Sequence, residues 1–150
     1  MNEAVPSVQI IRRLKATPAR IFAAITKPEQ IILWWGPDAG QTVSAENDLR
    51  PSGRYSIVFR TLDGAEHNPR GRYLEIVPDE KLVFTWEWPG HPEWESRVTF
   101  TLRPIEIGTE LTLIHERLPD IGAVESHTAG WSGWFDELQA FLSFAPGDAR

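Results

Sequence analysis

The stretch "GWSGWFDELQAFL", residues 130–142, sets Ser132 between two glycines and two tryptophans. A nucleophilic serine on a strand-to-helix elbow needs glycine two positions to each side, so that the strained turn can be approached closely. Gly130 meets that need, but Trp134 stands where the second glycine belongs, and the segment lies inside a helical repeat. Ser132 therefore reads as structural. Four histidines, His67, His91, His115 and His127, offer metal ligation or proton transfer. No two have the i, i+4 spacing of a helical zinc site, and His-Glu-x-x-His is absent. His67 and His91 stand in or beside turns, where solvation is expected. His115 alternates onto the strand face of Leu111 and Leu113, and His127 precedes Trp131 by one helical turn. Both are placed to point between sheet and helix, either as satisfied core residues or as the polar groups of a pocket.

The carboxylates carry less. A carboxylate buried among rings would have a raised pKa and could move protons. Glu75 alternates with Tyr73, Glu87 sits between Trp86 and Trp88, and Glu116 faces away from His115; solvated strand positions are expected for all three. "GPDAG" and "PSGR" lack the glycines and the strand-loop-helix setting of a phosphate loop. Basic residues are scattered or paired, as in Arg12-Arg13, without forming a stripe. With 15 basic and 21 acidic side chains the formal charge is -6. That sign repels phosphate backbones and anionic lipid, so neither nucleic acid nor membrane is expected as a partner. The absence of cysteine excludes disulfides and thiolate chemistry and fits a reducing compartment. No signal peptide is visible in "MNEAVPSV", and "IILWW" is far too short to span a bilayer. A cytoplasmic protein is the default expectation, with no cofactor or metal implied.

The elements that must position these residues follow from periodicity. "SVQIIRRLKA" predicts a strand over 8–15. Thr17 as N-cap and Pro18 at the first helical position open a short helix carrying Ile21, Phe22 and Ile25. "PEQIILWW" predicts a second short helix, stopped by Gly36-Pro37 in "GPDAG". From Gln41 the period becomes two. Tyr55, Ile57 and Phe59 share one face, "LDG" marks a turn, and "RGRYLEIV" is a strand ending at Pro78-Asp79. Leu82, Phe84, Trp86 and Trp88 face one way, with Lys81, Val83, Thr85 and Glu87 on the wetter side. "PGHP" breaks that strand, and "RVTFTLRP" and "LTLIHER" follow as two more. After Pro119-Asp120 the period returns to 3.6, with Trp131, Trp134, Phe135, Leu138 and Leu142 in one stripe. The tail "APGDAR" is polar and expected to fray. Length and order predict one domain over 1–150, with its core at about 8–144, in the α+β class.

Seven tryptophans and seven phenylalanines are many rings for so small a core. The sequence admits both a solid aromatic core and a ring-lined cavity.

Several motifs, in order along the chain, resemble a known family. They are "TPARIFAAITKPEQIILWWGP", "DLRPSGRYSIVF", "GRYLEIVPDEKLVFTWEW", "LTLIHERLPD" and "HTAGWSGWFDELQAFL". Together they resemble the activator of heat shock protein 90 ATPase homologue-like branch of the SRPBCC, or START-like, superfamily. The resemblance covers about residues 10–144. It implies a helix-grip fold, in which a bent antiparallel sheet of six to seven strands wraps a long C-terminal helix over a hydrophobic cavity. Where members commonly carry Gly-Gly, this chain has Ser52-Gly53, and the turn is expected to survive on one glycine. Eukaryotic co-chaperones of this type carry a further N-terminal domain, whereas this chain starts at its first strand. The resemblance thus implies fold and not chaperone activation.

The function expected on this basis is binding of a small apolar or aromatic ligand. Tyr55, Ile57, Phe59, Phe84, Trp86, Phe100, Trp131 and Phe135 would form walls, and His115 or His127 a polar anchor. The alternatives are a polyketide cyclase- or aromatase-like enzyme and a co-chaperone-like interaction module. Gly130 and Gly133, with Ser126, form a small-residue flank off the aromatic stripe. That flank would suit close contact with a loop or a second copy, so a homodimer is a further expectation.

Overall fold

The computed structural model describes residues 7–36 and 40–144, without the side chains of Pro92 and Phe144. The expected helix stop at "GPDAG" lies partly outside these residues, and the tail 145–150 lies wholly outside them. The chain opens with β1 (Ser7–Leu14), followed by α1 (Pro18–Thr26) and α2 (Pro28–Trp34). Thr17 caps α1 as its chemistry predicts, its Oγ1 accepting from the Arg20 amide at 3.1 Å. Among the described residues there are eight strands: β2 (Gln41–Asn47), β3 (Arg54–Arg60), β4 (Glu66–His67), β5 (Arg70–Val77), β6 (Lys81–Trp88), β7 (His91–Ile105) and β8 (Gly108–Glu116) follow β1. The chain then enters α3 (Ile121–Phe144), where Asp120 Oδ1 accepts from the Ala123 amide at 2.8 Å.

Seven strands pair antiparallel in the order β1-β8-β7-β6-β5-β3-β2, and two-residue β4 adds to β3. Register shifts interrupt the ladders at Thr42/Ser44, Tyr73/Glu75 and Trp86/Trp88. Such bulges bend a strand and increase its twist, which is what lets the sheet curl into a half-barrel around α3. This is the expected helix-grip architecture. The inner face is the alternating set read from sequence: Leu111, Leu113 and His115 are fully buried, as are Phe135 and Leu138 on the helix that meets them. Arg12 clasps the sheet edge to α3, bonding Asp136 and Gln139 at 3.1 Å each. Among the described residues no helix is long and apolar enough to cross a membrane.

Two expectations change and a third holds. "PGHP" is only a two-residue turn at Pro89-Gly90, and β7 starts at once with His91 opposite Trp88. Val83 and Thr85, assigned to the wet face of β6, are buried. Thr85 is covered because β5 folds over it: its Oγ1 accepts from the Arg72 amide at 2.9 Å, and its carbonyl accepts from Tyr55 Oη at 2.6 Å. Gly71 presses so closely on Thr85 that a Cβ there would strike its backbone. Lastly, the turn before β3 keeps its shape with Ser52 at a positive φ of 71°, where the family's glycine would sit without strain.

Candidate functional site

Between the first half of α3 and the sheet lies a cavity of about 310 Å³. The helix supplies Ser126, His127, Gly130, Trp131 and Trp134, a face repeating at i, i+1, i+4, i+5 and i+8. Strand β6 supplies Trp86 and Trp88 from one side of its pleat. The β3–β4 hairpin supplies Phe59, Thr61 and His67, and Trp35 enters from the end of α2. Trp34 anchors that end, donating its indole N–H to the Ala24 carbonyl at 3.1 Å. Among the described residues no carboxylate, lysine or arginine lines this cavity.

A chain of hydrogen bonds holds the floor. Trp131 Nε1–H donates to His115 Nδ1 at 2.9 Å. An indole N–H can only donate, so Nδ1 carries the lone pair and the imidazole proton sits on Nε2. Nε2–H then donates to Ser96 Oγ at 2.7 Å, and the Ser96 hydroxyl donates to the Trp86 carbonyl at 3.1 Å. His127 is set the other way. Its Nδ1 lies 2.8 Å from the Ala123 carbonyl, which only accepts, so Nδ1 is protonated and Nε2 holds the lone pair. Trp88 Nε1–H reaches that lone pair at 3.4 Å, a long contact for a hydrogen bond. The two imidazoles, 4.8 Å apart, therefore carry opposite tautomers. The indole N–H groups of Trp86 and Trp134 are buried without a partner among the described residues.

Burial lowers the pKa of both histidines. His115 falls from 6.5 to about 3, with a smaller contribution from the neighbouring His127, and burial likewise lowers His127. The folded state thus holds His115 neutral while the unfolded chain protonates it below about 6.5. Its stabilisation is complete above that pH, is lost as pH falls towards 3, and changes no further below. Between pH 6.5 and 5, where carboxylates have scarcely begun to titrate, His115 alone should remove about 2 kcal/mol. Urea unfolding at pH 7 and pH 5 measures this together with the same-signed share of His127, and an unchanged midpoint would contradict the neutral buried imidazole.

Of the residues expected to line a ligand site, Phe59, Trp86, His127 and Trp131 lie on this cavity. Tyr55, Ile57, Phe84 and Phe100 surround a separate void of about 20 Å³, room for roughly one water. His115 lies behind Trp131, with both ring nitrogens engaged. Phe135 is fully buried against Trp134, with ring centroids 5.1 Å apart. Ser132 does not line the cavity. His67, expected to be solvated, instead stacks on Phe59 at 5.1 Å and faces the cavity. A usable signal existed: a hairpin centred on Asp63 pairs residue 59 with residue 67, as the register shows. Trp35, Thr61, Trp88 and Trp134 also join the wall. So do Ser126 and Gly130 of the small-residue flank.

A family model described as Activator of Hsp90 ATPase homolog 1-like protein matches residues 15–143. Among solved structures, a protein from Chromobacterium violaceum is 29% identical and superposes with a TM-score of 0.81, covering 90% of this chain and 96% of that one. An AHSA1 protein from Silicibacter pomeroyi is 25% identical, with a TM-score of 0.79 over 91% of this chain and 97% of that one. An AHSA1-like protein from Aeromonas hydrophila, only 16% identical, shares the fold with a TM-score of 0.80 over 93% and 94% of the two chains. No curated protein matches the sequence. With the helix-grip sheet, the long closing helix and a family match over nearly the whole length, the chain belongs to the Activator of Hsp90 ATPase homolog 1-like family.

Proposed function

We propose that this protein binds a small ring-containing apolar molecule in the cavity under α3. The observation that carries the reading is Gly130. Glycine inside a helix costs about 1 kcal/mol relative to alanine, and a Cβ at this position would meet nothing within 4 Å. The helix thus gives up stability where a larger side chain would simply fill the cavity. Its volume of about 310 Å³ is roughly twice the ~150 Å³ that accommodates one benzene, which suits a two-ring molecule. The walls agree: five of the seven tryptophans line it, with rigid rings that lose little freedom on binding.

The site supports binding better than proton transfer. His115 spends both nitrogens on Trp131 and Ser96, and among the described residues no carboxylate lines the cavity to act as a partner acid or base.

Because those five tryptophans surround the site, an occupant should alter intrinsic fluorescence. Titration with naphthalene is expected to give a saturable change in emission. No saturable change up to the solubility limit would overturn the reading. Native mass spectrometry of protein purified from its own host is expected to show a co-purifying small molecule.

A further inference from the structure

Resting on the binding reading, the hydrogen-bond pattern of the wall narrows the chemistry of the ligand. From it we infer that the cavity selects a neutral aromatic molecule bearing an O–H or N–H donor, of the phenol type, over one that can only accept.

Several protons on the wall are already directed at protein atoms. Trp131 donates to His115, Trp88 to His127, and Thr61 Oγ1 to Asp63 Oδ1 at 2.6 Å. With its proton so used, Thr61 Oγ1 accepts from His67 Nε2 at 3.2 Å. Ser126 Oγ donates to the Ala123 carbonyl at 3.3 Å. The unpartnered N–H groups of Trp86 and Trp134 are fully buried, so an occupant reaches them only if the rings move. Beside these donors the wall presents lone pairs. The foremost is His127 Nε2, because the Ala123 carbonyl holds the proton on the other nitrogen.

The contact that now occupies this lone pair is replaceable. Trp131 and His115 meet at 2.9 Å in the buried floor, whereas Trp88 and His127 meet at 3.4 Å between half-buried rings. Trp88, Ser126 and His127 also line a neighbouring groove of about 320 Å³, so this pair stands at the boundary of two open volumes. A ligand hydroxyl can donate to His127 Nε2 while its oxygen accepts from the Trp88 N–H it displaces. An ether oxygen can only accept, and would leave the imidazole lone pair without a donor. A carboxylate would bring negative charge against that lone pair, with no lysine or arginine among the described wall residues to receive it.

Three two-ring probes of similar size test this by fluorescence titration at pH 7: 2-naphthol, 2-methoxynaphthalene and 2-naphthoate. The expected order places 2-naphthol about five- to tenfold tighter than 2-methoxynaphthalene, the worth of one hydrogen bond, with 2-naphthoate weakest. His127→Phe keeps a ring in place but removes the lone pair; it should bring 2-naphthol down to the affinity of 2-methoxynaphthalene. Trp88→Phe removes the competing N–H together with part of the ring; it should lower all affinities but keep the preference for 2-naphthol, a second reading should His127→Phe fold poorly. Equal affinities for 2-naphthol and its methyl ether, or preference for 2-naphthoate, would overturn the donor inference while leaving the binding reading intact. Failure of all three to bind would overturn both.

Discussion

Replacing His115 with alanine is expected to destabilise the protein by about 3–5 kcal/mol, a large share of the 5–15 kcal/mol typical of a folded domain. The imidazole is fully buried and connects two elements, taking a proton from Trp131 on α3 and giving one to Ser96 on β7. Its removal strands the Trp131 N–H and deprives Ser96 Oγ of its donor, each at about 1–3 kcal/mol, and leaves a void besides. Two further variants separate these contributions. His115→Leu restores volume but no acceptor and should recover only the void. His115→Asn offers an amide oxygen to Trp131 and should recover more. Urea denaturation of the series gives the order, and a leucine variant as stable as the wild type would refute the hydrogen-bonded strut.

Gly130→Phe is expected to weaken naphthalene binding more than tenfold while the fold holds. A benzyl group is about the size of the benzene that fits a ~150 Å³ cavity, so it takes about half of the volume available here. The remainder no longer admits two rings. The backbone offers no objection, since a Cβ at this position meets open space. Replacing a helical glycine should even recover part of the roughly 1 kcal/mol that it costs. Thermal unfolding and fluorescence titration on the same sample decide the matter. A phenylalanine variant that binds naphthalene as tightly as the parent would show that the ligand, if any, sits elsewhere.

Much of this architecture was legible because local chemistry and global packing agree. The alternation Leu111, Leu113, His115 and the stripe from Trp131 to Leu142 each predicted a buried face, and both faces are buried. The start of β7 was not legible: Pro89, Gly90, Pro92 and two acidic residues mask a strand that the hairpin register enforces, with Trp86 opposite Ser96. Thr85 was misread because its burial comes from β5, which alternation within one strand cannot report. The cavity itself depends on how volumes add up across elements distant in sequence. Rings that look alike in the chain part company there, Trp86 and Trp131 on the cavity, Phe84 and Phe100 around the separate small void.

The wall of that cavity divides its duties unequally. Trp131 is tied by its indole N–H into the hydrogen-bond chain through His115 and Ser96, so a substitution there endangers folding as well as the proposed binding. Gly130 supports nothing, and Ser126 is an exposed hydroxyl turned back on its own helix. These two positions, one helical turn apart, can exchange side chains at little thermodynamic risk while reshaping the enclosed space. If the cavity binds as proposed, a lineage built on this scaffold has a cheap evolutionary route from one ligand to another, by mutation along one flank of a single helix.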